Sequence, residues 1–263
     1  MWMGTSISLL FGVLSSVIFA SKDIDPLTSI YYSYDEVPGF HHWIEYGKSY
    51  HENFQHLLGK DKIQMLEIGV QSGGSTRVWS QYFGKKLNYT GVDLDARCVQ
   101  FELPERGIHI EIGNQKNISF LEDLCKKFGP FDIIIDDGGH TTDLIMTSLE
   151  ILFLCMRDGG VYAVEDLHSM SMWREHPTKK KLMFVDGKNF YQHLGDIMGR
   201  MVEYMRNYRF RYPNAFLAQT DKFISHLSKV NVYDSLAFLH YRETWKPITE
   251  FSRGKKFITG FNY

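Results

Sequence analysis

Five times between residues 62 and 166 a short apolar run stops at a glycine or an acid and gives way to a stretch with helical spacing: IQMLEIG, NYTGVDL, IHIEIG, FDIIID and GVYAVED. Strands that alternate with helices in this way have to lie parallel, because each crossover carries the chain back to the same end of the sheet, and the helices then cover both faces. The expectation is therefore an α/β fold with a doubly wound, mostly parallel sheet of Rossmann-like type. Helices are expected near 49–58, after the GGST turn at 73–76, at 117–128, at 142–155 and at 189–207. The tail ISHLSKVNVYDSLAFLHYR reads as two alternating runs about Tyr233-Asp234, an antiparallel hairpin added to the sheet edge. Residues 169–188, with Trp173, Pro177 and Gly187, read as a loop, and residues 22–47 as an irregular aromatic and histidine-rich cap. Neither repeats nor a domain boundary interrupt residues 22–263, which form one domain.

In a parallel sheet the ligand crevice opens at the carboxyl ends of the strands, so the residues that end each run matter most. The first ends LEIGVQSGGST, which places Gly69, Gly73 and Ser75 in the first strand-to-helix turn, with Glu67 just before it. Gln71 stands where a dinucleotide-binding turn wants its second glycine, so a ligand without a pyrophosphate fits better. Asp93 ends the second strand about two dozen residues on, the place of an acid that accepts ribose hydroxyls. Together these point to an adenosine ligand, and Asn114, after the third strand, is a candidate for its adenine edge. Asp136 is assigned to the same cofactor side.

The fourth strand ends Asp136-Asp137-Gly-Gly-His140 and the fifth ends Glu165-Asp166-Leu-His168. Neighbouring parallel strands lie about 4.8 Å apart, so both acid pairs reach one rim, and four carboxylates cannot all stay ionised there without a cation. Oxygen ligands point to a hard divalent ion, Mg²⁺ first, with Mn²⁺ or Ca²⁺ as alternatives. Successive side chains on a strand face opposite ways, so Asp136 and Asp137 need not share a role.

With these motifs in place the chain resembles the metal-dependent class I O-methyltransferases of the macrolide sugar type, together with the related cephalosporin-hydroxylase-like proteins. The resemblance runs from about Gly39 to Arg242 through LEIGVQSGGS, GVDLD, GPFDIIIDDGGH, GGVYAVEDLH and VNVYDSLAF. It implies S-adenosylmethionine as methyl donor and Asp137, Glu165 and Asp166 as ligands of Mg²⁺. It also implies His140 as general base and a sugar hydroxyl, free or within a glycan, as acceptor. Relatives often carry GDQ where this chain has Gly113-Asn114-Gln115, which weakens the adenine assignment of Asn114. His168 is the rival base, and His41, His42, Trp43 and Tyr46 are placed over the acceptor. A hydroxylase-associated protein and a non-catalytic S-adenosylmethionine-binding protein are the competing readings.

Lysine plus arginine number 29 against 31 aspartates and glutamates, so no basic excess is available to neutralise phosphates and nucleic acid is not an expected partner. The run ISLLFGVLSSVIFA from Ile7 to Ala20 has the length of a signal-peptide core and is shorter than a spanning helix. Residues 1–20 are thus expected to be a signal peptide or short anchor, the only membrane contact, with the domain in the secretory pathway, in the Golgi lumen; a cytoplasmic protein is the alternative. Cys98, Cys125 and Cys155 show no paired or metal-like spacing and are expected to be buried free thiols. Whether copies of the chain associate is left open.

Overall fold

A computed structural model describes residues 24–172, 176–209 and 222–243. The expected leader at Ile7–Ala20 and Trp173 lie outside the described residues. Seven strands form one sheet in the order β3-β2-β1-β4-β5-β7-β6. They are β1 (Ile63–Ile68), β2 (Leu87–Asp93), β3 (Ile108–Ile112), β4 (Phe131–Asp136), β5 (Met156–Val164), β6 (Leu227–Tyr233) and β7 (Leu236–Tyr241). The first five run parallel, and β7 is antiparallel to both β5 and β6. The expected hairpin is present, with β7 inserted between β5 and β6 rather than β6 lying against β5.

Strand order reverses between β1 and β4, since β2 and β3 are laid down on one side of β1 and β4 returns to the other. That switch point opens a crevice at the carboxyl ends of β1 and β4. Every residue of β1 and β4 is buried, as a strand covered on both faces requires. On one face Met65, Tyr89, Ile133, Ile135, Ala163 and Phe238 pack under helices α1 (Pro26–Ser33), α2 (Ile44–Phe54) and α3 (Gly74–Phe83). On the other, Leu66, Ile134, Tyr162, Val164 and Leu239 pack under α4 (Ile118–Phe128), α5 (Thr142–Leu152) and α7 (Phe190–Arg209), with the short α6 (Ser169–Met172) at the rim.

The N-terminal cap is more regular than expected. Asp25 accepts hydrogen bonds from the amides of Leu27 and Thr28, at 3.0 and 2.9 Å, and Pro26 occupies the first turn, so α1 starts on a standard cap. The cysteines also differ from expectation. Cys125, on α4, and Cys155, just after α5, form a disulfide with their Cα atoms 5.8 Å apart, and only Cys98 is a free buried thiol. Two neighbouring crossover helices, running the same way on one face of the sheet, bring the two thiols together at their C-terminal ends, which linear spacing does not reveal.

Candidate active site

The crevice is a cleft of about 810 Å³ lined from one end by Gly69, Asp93 and Asn114 and from the other by Asp137, His140, Glu165 and Asp166. At the first end Gly69 has φ +97°, and a Cβ there would stand 2.1 Å from the carbonyl oxygen of Asp137. Only glycine permits β1 and β4 to leave the sheet that close together. Asp93 Oδ2 accepts the amides of Val70 (3.0 Å) and Gln71 (2.9 Å), and Oδ1 accepts that of Asp95 (2.9 Å). The Cys98 thiol also bonds this carboxylate, so Asp93 is held rigidly at the edge of the cleft that it lines. Leu94, 70% exposed beside it, offers an apolar surface that the sequence reading did not single out. Asn114 also lines the cleft, with its Oδ1 closing a turn on the amide of Lys116 at 2.8 Å.

Four residues expected at the cofactor do not reach the cleft. Gly73, at φ +78°, caps α3 with the ring of Phe101 against it. Ser75 donates to Glu67 Oε2 at 3.0 Å, and Tyr89 donates to the same oxygen at 2.5 Å, inside the α3 face. Burial raises the Glu67 carboxyl to about 7, and its Oε1 has no hydrogen-bond partner. Asp136 faces the opposite layer, where Gln115 Nε2 donates to it at 2.7 Å, Tyr162 at 3.2 Å, and Ser148 also donates. Desolvation raises it to about 6. It acts on the cleft through the Gly138 amide and through Gln115, whose Oε1 holds the Gly139 amide at 3.0 Å. The period-two alternation of the strand separates the adjacent acids, and Asp137 alone turns to the rim.

There Asp137, Glu165 and Asp166 converge with two histidines. His140 Nε2 lies 3.7 Å from Asp166 Oδ2 and 4.0 Å from Asp137 Oδ1, and His42 Nε2 lies 3.8 Å from Glu165 Oε2. Tyr50 donates to Glu165 Oε1 and Tyr46 donates to Asp166 Oδ1 at 2.9 Å, so α2 fixes both acids from above. Tyr46 and Tyr50 sit four residues apart on one helical face, a spacing the sequence displays and the sequence reading did not use for Tyr50. His140 and Asp166 have φ of +51° and +54°. Left-handed backbone at two non-glycine residues costs on the order of 1–3 kcal/mol each and persists where the surroundings impose it.

His168 is held differently. Its Nδ1 lies 2.6 Å from the Ser235 hydroxyl in the β6–β7 turn, and its ring stacks on Trp43 at 4.6 Å.

The electrostatics of the rim call for a cation. At the far end of β4, Asp132 is fully buried yet paired with Lys60 at 2.6 Å and Arg157 at 3.3 Å. At the rim, no lysine or arginine among the described residues pairs with Asp137, Glu165 or Asp166. Desolvation first, and mutual repulsion second, push the Asp137 carboxyl well above the ordinary carboxylate range, and burial does the same for Glu165. Groups of oxygen and nitrogen donors lie within 4.8 Å of one another in the sets His42, Asp137, Glu165 and Asp137, His140, Asp166. That donor set fits a divalent ion. Burial lowers the pKa of His140, which keeps its imidazole unprotonated at neutral pH.

Sheet order, crevice and acid rim together define a class I methyltransferase fold. No family model matches the chain. Among known proteins it is 33% identical over 162 residues to demethylmacrocin O-methyltransferase of Streptomyces fradiae, covering 59% of this chain and 39% of the relative. It is 34% identical over 162 residues to mycinamicin VI 2''-O-methyltransferase of Micromonospora griseorubida, covering 59% of this chain and 38% of that one. The MycE methyltransferase of the mycinamycin pathway, solved with Mg and SAH, superposes with a TM-score of 0.64 and 25% identity over 82% of this chain and 53% of its own. The chain thus resembles macrolide sugar O-methyltransferases in sequence and in fold, and spans about two fifths of the length of the relatives it matches in sequence.

Proposed function

We propose that the protein is an S-adenosylmethionine- and divalent-metal-dependent O-methyltransferase acting on a sugar hydroxyl. The observation that carries this reading is the convergence of Asp137, Glu165, Asp166 and His140 on one rim of a cleft whose other end presents Gly69 and Asp93. A likeness to proteins named as sugar O-methyltransferases supports it.

Asp137, Glu165 and Asp166 would hold the cation, and Asp93 and the β1 turn would hold the nucleoside. When bound, the sulfonium supplies an activated methyl group and the cation lowers the pKa of the acceptor hydroxyl. What the chain itself supplies is placement and a proton acceptor. His140 takes the hydroxyl proton at Nε2 as the oxygen bonds to the methyl carbon and the carbon–sulfur bond breaks. Tyr46 and Tyr50 keep the acids oriented, and the Trp43–His168 stack walls the acceptor side.

The test is methyl transfer from labelled S-adenosylmethionine to an array of sugars and glycans, with and without EDTA. The reading expects transfer that EDTA abolishes and that Asp137→Ala loses. Activity indifferent to EDTA would remove the metal from it.

We further propose that the acceptor is a glycan met in the secretory pathway, in the Golgi lumen. The apolar run at Ile7–Ala20 and the Cys125–Cys155 disulfide support this, because disulfides persist in oxidising compartments and are rare in the cytosol. Asn117, exposed in an Asn-Ile-Ser triplet, then supplies a test: the secreted-route protein should carry an N-glycan there, removable by a glycosidase. A chain recovered without glycan and with free thiols at Cys125 and Cys155 would count against that compartment.

A further inference from the structure

One imidazole faces the acid rim with a nitrogen unengaged. His42 sits between α1 and α2 with its side chain only 7% exposed, wedged against the rings of Phe40, Tyr31 and Tyr46 at 4.6, 5.9 and 6.0 Å. Its Nδ1 has a hydrogen-bond partner, the Tyr31 hydroxyl at 3.2 Å. Its Nε2 has none: Glu165 Oε2, at 3.8 Å, is beyond hydrogen-bond reach. A histidine that merely filled the core would have both nitrogens bonded or one of them in solvent. Here the unengaged nitrogen lies 3.8 Å from Glu165 Oε2, and a ring nitrogen of His42 is within 4.8 Å of a carboxylate oxygen of both Asp137 and Glu165.

We propose that His42 is a ligand, through Nε2, of the divalent cation held by Asp137 and Glu165, and that the site therefore favours Mn²⁺ over Mg²⁺. The inference rests on the metal reading above and deepens it. A six-coordinate ion with donors near 2.1 Å sets adjacent donors about 3 Å apart and opposite ones about 4.2 Å apart, so the 3.8 Å between His42 Nε2 and Glu165 Oε2 lies within an ångström of either arrangement. Coordination through Nε2 leaves the ring proton on Nδ1, which then donates to the Tyr31 oxygen, the arrangement that orients a metal-bound imidazole. One nitrogen among oxygens alters the preference: imidazole binds first-row transition ions well, whereas Mg²⁺ keeps to oxygen and water. The acids come from the ends of β4 and β5 and the histidine from the N-terminal cap, so the ion would join the cap to the sheet.

The experiment titrates the full chain, stripped with EDTA, with Mn²⁺ or Mg²⁺ alone by calorimetry, and records pulsed electron paramagnetic resonance of the Mn²⁺ form. The expected result is Mn²⁺ binding at least about tenfold tighter than Mg²⁺, with an imidazole nitrogen coupled to the ion. In His42→Ala the coupling should vanish and Mn²⁺ affinity fall at least about tenfold, with Mg²⁺ affinity changing less. The wild-type spectrum needs no variant, so a poorly folded His42→Ala leaves that arm intact. Absence of nitrogen coupling, or coupling that survives His42→Ala and disappears in His140→Ala, would overturn the assignment. If in that case Asp137→Ala still loses the ion, the metal site stands without His42. No saturable binding of either ion to the wild type would overturn both.

Discussion

Glu67→Gln separates a slope from an offset. Glu67 is fully buried, accepts Ser75 and Tyr89 on Oε2, and has no partner for Oε1. Burial raises its carboxyl from 4.5 to about 7. Below pH 4.5 folded and unfolded chains both hold the proton, and the group does not affect stability. Between 4.5 and about 7 the folded chain holds a proton that the unfolded chain has released, so stability falls as pH rises. Above that window both are ionised and the full loss persists, about 3 kcal/mol at about 1.4 kcal/mol per pH unit. Glutamine stays neutral and lacks this slope. Its amide places donors beside the Ser75, Tyr89 and Trp79 donors that surround the carboxyl, a cost of about 1–3 kcal/mol that does not change with pH. Urea unfolding of both chains at pH 5, 6, 7 and 8, in EDTA, measures the difference. The variant should gain about 2–3 kcal/mol on the wild type between pH 5 and 8, whatever its offset. A difference that stays flat across this range would refute the raised carboxyl.

Gly69→Ala should cost about 3–5 kcal/mol, because its Cβ would meet the Asp137 carbonyl at 2.1 Å in a backbone at φ +97°; it should also weaken Mn²⁺ binding, and wild-type melting with wild-type metal affinity would contradict this. His140→Ala should lower turnover about 10²–10⁴-fold with metal affinity kept, and the wild-type rate should rise with pH through a pKa below that of free imidazole. If His168→Ala loses turnover and His140→Ala does not, the base is His168. Replacing Cys125 and Cys155 by alanine opens a link across 30 residues and should cost about 3–4 kcal/mol; equal urea midpoints for wild type and variant would show that the link adds nothing.

The parallel sheet was legible because five short apolar runs alternate with helical stretches, and such crossovers return the chain to the same end of the sheet. The placement of Asp137, Glu165 and Asp166 followed from strand ends meeting at one rim. Other features depend on tertiary neighbours that local pattern does not encode. Alternation said that Asp136 and Asp137 diverge, but only the packing of α5 shows Asp136 bonded by Ser148 and Gln115. Glu67 and Ser75 looked like cleft residues because they flank the glycine turn, yet they bond each other under α3. Tyr50 reaches Glu165 across 115 residues of sequence; its spacing from Tyr46 puts the two on one helical face but does not say which acids that face meets. Helix α1 was signalled by Asp25 and Pro26, and the aromatic crowding after it obscured the cap.

The position of β7 also sets an order of events in time. On a ribosome β5 emerges early, but its outer edge has no partner until β7, the last strand of the described residues, slides between it and β6. The same hairpin carries Ser235, which holds the Leu167 amide through its carbonyl at 3.0 Å and the His168 ring through its hydroxyl. The nucleoside end of the cleft belongs to β1 and β2 and can be organised long before. The acid end is completed by the hairpin, so in a nascent chain the β1–β2 end of the cleft would form before the acid rim, and the two ends of the cleft come into being at different moments of synthesis.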